Sequence, residues 1–89
     1  MKTICRLPDF DTPNVSLYLF DDSVDVNIEA DRTVVGPETN PYFIVLDCNT
    51  SNCILHEGVS DPGDWEGWKY FYTTQDGWEL NPDWVPPAP

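Results

Sequence analysis

Val24-Asp25-Val26-Asn27-Ile28-Glu29-Ala30 decides the fold class of this chain. Apolar side chains stand at every second position from Val24 to Ala30, with Asp25, Asn27 and Glu29 between them. A two-residue period belongs to an extended chain with one buried and one wet face, because successive side chains of a strand point to opposite sides. A helix would need apolar residues every three or four positions instead.

Outward from this run the same reading holds. Val15 to Phe20 is rich in β-formers, and Asp21-Asp22-Ser23 reads as a turn, so residues 15–30 predict a hairpin. Arg32 to Val35 reads as a short strand ended by Gly36-Pro37, and Glu38 to Pro41 as loop. Tyr42 to Leu46 is a continuous apolar run, expected at the centre of a sheet. Asn49-Thr50-Ser51-Asn52 is a turn cluster, and Ile54 to Val59 is expected to return beside residues 42–46. Trp68 to Thr74, Gln75-Asp76-Gly77 and Trp78 to Asn81 predict a second hairpin, with Asp-Gly the informative pair. Nine prolines and five glycines break the chain too often for long helices. The expected fold is all-β: a small antiparallel barrel or sandwich of about six short strands in one domain over 1–85, with an irregular Pro-rich C-terminal tail at 86–89.

The 89 residues carry sixteen carboxylates against four basic side chains, a net charge of −12. Residues 1–45 hold eight acids and three bases, and residues 46–89 eight acids and one base, so the folded surface itself must be negative. Such a surface favours solubility, or meets a basic one. Direct binding to nucleic acid needs clustered cations, and Lys2, Arg6, Arg32 and Lys69 are scattered. The start, MKTICRLPDFD, lacks the apolar core of a signal peptide, and no apolar stretch is long enough to span a bilayer. The expected location is therefore cytoplasmic, that of a host if the protein is viral, or within a virion.

The cysteines are Cys5, Cys48 and Cys53, and His56 is the only histidine. Across a hairpin over 42–59, Cys48 and Cys53 would face one another with Cα atoms roughly 4.5–5.5 Å apart, within disulfide range. Reduced, partly buried thiols are nonetheless the expected state; the short-loop disulfide is one alternative, and a zinc site of Cys5, Cys48, Cys53 and His56 is another. The C-x₄-C-x₂-H spacing fits no common zinc module. No nucleophile–base pair, phosphate loop or calcium loop is present, so no catalytic residue and no cofactor are assigned.

All four tryptophans fall in the last 25 residues, among acids. Trp68, Tyr70 and Tyr72 are expected to share one strand face, which either closes a small core or meets a partner.

Three functions compete. The first is a non-enzymatic acidic binding protein, of the kind viruses and mobile elements carry, occupying a basic, nucleic-acid-binding surface of a host protein. One acidic strip would comprise Asp21, Asp22, Asp25 and Glu29; a second would comprise Asp61, Asp64, Glu66, Asp76 and Asp83, with Trp65 and Trp84 exposed beside it. The second function is a subunit of a phage particle or homo-oligomer, assembled through the aromatic C-terminal face. The third is a small zinc-binding module.

Overall fold

A computed structural model describes residues 1–86. It contains eight short strands and, among the described residues, no helix: β1 (Lys2–Arg6), β2 (Ser16–Phe20), β3 (Val26–Ile28), β4 (Thr33–Val35), β5 (Phe43–Val45), β6 (Cys53–His56), β7 (Tyr70–Thr73) and β8 (Gly77–Leu80). All pairings are antiparallel. They form three small sheets, ordered β2-β1-β6, β3-β4-β5 and β7-β8. The sheets do not close into a barrel. Of the Pro-rich tail, Pro86 is described and residues 87–89 lie outside the described residues.

The first sheet is built around a strand whose sequence carries no alternation. In β1, Thr3, Ile4 and Cys5 are all fully buried. Both neighbours come from far along the chain: Thr3 stands opposite Leu19 on one side and His56 on the other. Alternation sends Ile4 to the face shared with Tyr18 and Leu55, and Thr3 and Cys5 to the opposite face with His56 and Ile54. The Ile4 face packs with Val45, Cys48 and Cys53, and against Val26 and Ile28 of the second sheet. Truncating a side chain as deeply packed as Ile4 to alanine costs about 2–5 kcal/mol. The register of β1 and β2 shifts between Ile4 and Cys5, so Leu17 is an extra residue in a bulge. That bulge lets Leu17 enter the core while Ser16 still reaches the Thr3 face.

Several expected neighbours prove not to be paired. β2 and β3 follow one another but lie in different sheets, so residues 15–30 are not a hairpin. β5 and β6 are likewise separate, since β6 pairs with β1. The apolar run at 42–46 forms the terminal strand of its sheet and not a central one. Local turn signals gave the right breaks between strands, but burial of β1 required long-range partners that outcompeted the nearest return strand. The hairpin at 70–80 forms as expected, with Thr73 opposite Gly77 across the turn. Trp68 falls before β7 in a left-handed conformation, φ 72°, and so does not share the Tyr70–Tyr72 face as a strand residue. The β7–β8 hairpin lies beside the start of β2, where Val15 bridges to Phe71, and the Tyr72 ring lies 5.1 Å from that of His56.

Candidate functional site

The outer face of the second sheet brings together the run that fixed the fold class and the run expected at a sheet centre. The β3–β4 ladder continues past β3 at both ends: Gly36 N donates to Asp25 O at 2.7 Å and Glu29 N to Arg32 O at 2.7 Å. Asp25, Asn27 and Glu29 therefore stand in a column on one face, about 13 Å long at the usual strand rise. Asn27 lies opposite Val34, and Val34 opposite Ile44, so the same face carries Ile44 at the sheet's other edge, with exposed Tyr42 just before β5 and exposed Leu46 in the turn just after it. Tyr42 lies against Gly36, where a Cβ would come within 2.9 Å of its ring. Tyr42 and Leu46 are 67% and 75% exposed, and Phe43 and Ile44 44% each, values far above those of packed strand residues. An acidic column and an apolar column thus share one small sheet face.

Every carboxylate except that of half-buried Glu29 belongs to an exposed residue. Asp22, Glu29, Glu57 and Asp64 have a cationic partner within 4 Å among the described residues, which leaves twelve of the sixteen without one. In the first predicted strip, Asp25 is exposed and unpaired, whereas Glu29 holds Arg32 at 3.2 Å and accepts from Asn27. Asp21 accepts from the backbone N–H and hydroxyl of Ser23, closing the turn before β3, and these bonds hold its carboxyl below the usual range. Asp22 faces the N-terminal ammonium at 2.9 Å.

The residues of the second predicted strip are distributed around the β7–β8 hairpin. Asp76 sits at the tip of the β7–β8 hairpin and Asp83 beyond its open end, so the hairpin's length separates them. Asp61 accepts from Gly63 N. Asp64 accepts from the Tyr70 hydroxyl at 2.6 Å and from Lys69 at 3.0 Å, and both bonds lower its carboxyl. Glu66 is exposed. Trp65 is half-buried, its Nε1–H donating to the buried Ser16 hydroxyl, so it is a structural ring and not an exposed anchor. Trp84, also half-buried, lies under the Lys69 ammonium, 4.8 Å from its ring centre. Trp78 donates to Ser60 O and packs edge-on against Tyr70 and Tyr72. Trp68, 47% exposed, is the tryptophan most open to solvent.

The three cysteines are free and buried. Cys48 and Cys53 lie together in the core, joined by the Asn49–Asn52 turn in place of the expected hairpin. Arg6 Nη1 donates to Cys53 Sγ at 3.4 Å and to Asp47 O at 3.2 Å. Interaction with the neighbouring Cys48 thiol, together with the charge and hydrogen bond of Arg6, pulls Cys53 down to about 7. Cys48 moves up in turn, through the same interaction and through burial. Cys53 and His56 are three positions apart on β6, so they point to opposite faces and the proposed four-ligand set does not assemble. Among the described residues, no group of three or more His, Cys, Asp or Glu side chains is placed to hold a metal ion.

His56 lines a cleft of about 320 Å³ with Tyr72, Asn14 and Pro8, where no carboxylate is present. Burial lowers its imidazole. Glu57 is turned to the other side of the strand, 3.9 Å from Lys2. Among the described residues, no helix is long and apolar enough to cross a membrane. No family model, curated protein or solved structure matches the chain.

Arg6 beside Cys53 and the exposed edge at 42–46 were not among the residues singled out from the sequence. Arg6 carries no local signal, because the contact spans 47 positions. The apolar run was visible, but its position at an edge was not.

Proposed function

We propose that this is a non-enzymatic acidic binding protein that occupies a basic, nucleic-acid-binding surface of another protein, as an accessory protein of a virus or mobile element, acting in a host cytoplasm or carried in a virion. The observation that carries the reading is the outer face of the second sheet, where Asp25 and Glu29 run beside exposed Tyr42, Ile44 and Leu46. Carboxylates speed encounter with a positive partner, while desolvated aromatic and aliphatic side chains slow its departure. Twelve carboxylates without a cation give the approach its long-range field.

Assembly through the aromatic hairpin draws less support. Trp65 and Trp78 spend their N–H groups inside the molecule, leaving Trp68, Leu80 and Val85 as its exposed apolar side chains among the described residues. The His56 cleft lacks a carboxylate partner, so an acid–base reaction draws no support either.

The test compares the protein with a D25K/E29K variant in affinity capture from host lysate at low and high salt, with circular dichroism as the check on folding. The expected result is a basic, nucleic-acid-handling protein held at low salt, released as salt rises, and lost from the folded variant. Equal recovery by both proteins, or recovery of this chain alone, would sink the proposal.

A further inference from the structure

The free edge of β5 points to how such a partner would be held. Resting on the acidic-binding reading, we propose that β5 receives an extended partner segment as an added antiparallel strand, one in which apolar side chains alternate with lysine or arginine. β5 ends the order β3-β4-β5, and among the described residues no hydrogen bond reaches the side of Phe43–Val45 away from β4. An unpaired edge presents a row of N–H and C=O groups ready to pair with another chain, and proteins usually guard it with an inward charge, a proline, a bulge or a covering loop. The other edges of the two three-stranded sheets are attended to in this way, and the outer edge of β8 carries the charge of Glu79. Beside β2, Trp68 N donates to Ser16 O, and Val15 bridges to Phe71. β3 and β6 lie next to one another, and Thr50 N donates to Glu29 O. Residues 42–46 carry neither charge nor proline, and Tyr42, Phe43, Ile44 and Leu46 are all exposed.

Charge selects the occupant. A second copy would bring another −12 to the seam, and like charge opposes that approach. Glu38 and Asp47 flank the strand without cationic partners, and Asp25 and Glu29 lie across the sheet face. A segment alternating valine-like and lysine-like residues satisfies both features. Main-chain bonds to β5 give affinity, its apolar side chains extend the apolar surface of Tyr42 and Ile44, and its cations, sent by alternation to the strand's other face, are drawn by the net charge of −12.

The probe is a synthetic seven-residue peptide of alternating Val and Lys, titrated into isotope-labelled protein and followed by amide chemical shifts and hydrogen exchange. The control is the same peptide N-methylated at alternate residues, which removes the donors facing β5 while keeping its charge. The expected result is shifts centred on Phe43–Val45, slowed exchange of their amides, and binding about tenfold weaker for the methylated peptide. An Ile44→Lys variant is expected to lose the same interaction while remaining folded. Binding at Asp25 and Glu29 with β5 unmoved and no effect of methylation would overturn strand addition but leave the acidic reading intact. Failure to bind both this peptide and poly-lysine at low salt would overturn both. Dimerisation without peptide, with the same amides protected, would assign the edge to a second copy and overturn the proposal.

Discussion

Arg6 places its guanidinium 3.4 Å from the sulfur of Cys53, inside a core that also holds Cys48. A thiol in that position gives up its proton early, because the anion is met by a fixed positive charge and its hydrogen bond, with the Cys48 thiol close by. The neighbouring thiol keeps its proton late beside that anion.

Cys53 is therefore expected to be the first cysteine alkylated by a small reagent, at a rate rising through about pH 7, where its proton leaves. Cys5, pushed up to about 11 by burial, is expected to stay unlabelled while the protein is folded. Arg6→Gln is expected to move the Cys53 profile upward. The linkage has a definite sign. A folded value below the ordinary 9.0 contributes stability that is fully present above pH 9 and is lost as pH falls through about 7. Cys48 and Cys5, both raised, oppose folding as pH climbs beyond 9. Peptide mapping of alkylated samples across pH, with denaturant midpoints at each pH, checks both statements.

Ser16 is the joint of a directed chain of hydroxyls. Thr3 Oγ1–H donates to Tyr18 O at 2.7 Å, leaving Ser16 to donate to Thr3 at 2.6 Å and to accept from Trp65 Nε1 at 2.9 Å. Ser16→Ala strands the indole N–H and removes a bond to a fully buried threonine. Its expected cost is about 1–3 kcal/mol in urea unfolding, with a red shift in tryptophan emission as Trp65 loosens. An unchanged midpoint would show that water replaces the hydroxyl.

Gly36 adopts φ +100°, and a Cβ there would stand 2.7 Å from Tyr42 N. Gly36→Ala is expected to destabilise the protein by about 1–3 kcal/mol and to displace Tyr42, detaching the start of β5 from β4. Amide shifts at 42–45 read this directly, and a change confined to residue 36 would contradict it.

Added sodium chloride is expected to raise the thermal midpoint, since twelve carboxylates repel one another across a surface with few cations. Scanning calorimetry at 0.02 M and about 0.5 M salt measures the effect, the higher concentration shrinking the screening length to a few ångströms. A falling midpoint would mean that the four ion pairs outweigh the repulsion.

Alternation and turn chemistry made the local elements legible. Val26–Ile28 follows directly from VDVNIEA, and the 70–80 hairpin from its Asp-Gly pair. Partner choice was not legible. Nothing in Lys2-Thr3-Ile4-Cys5-Arg6 announces a central strand, because burial on both faces erases the period that marks a strand. The Tyr42–Leu46 run lacks that period too, for the opposite reason, being apolar yet largely uncovered at an edge. Periodicity separates faces but does not reveal which of them another element covers. Asp25 could thus be placed on a wet face in advance, while Trp65 could not be assigned to the interior.

The middle strand of the first sheet precedes both of its neighbours in the chain. During synthesis β1 leaves the ribosome first, can pair on one side once residue 20 is out, and stays open on the other until residue 56 follows. Ile4 and Cys5 spend that interval without the cover they have in the finished molecule. Closing so many non-local pairs is slow work for a short chain, and a nascent strand with an unfilled side is the natural client of a chaperone.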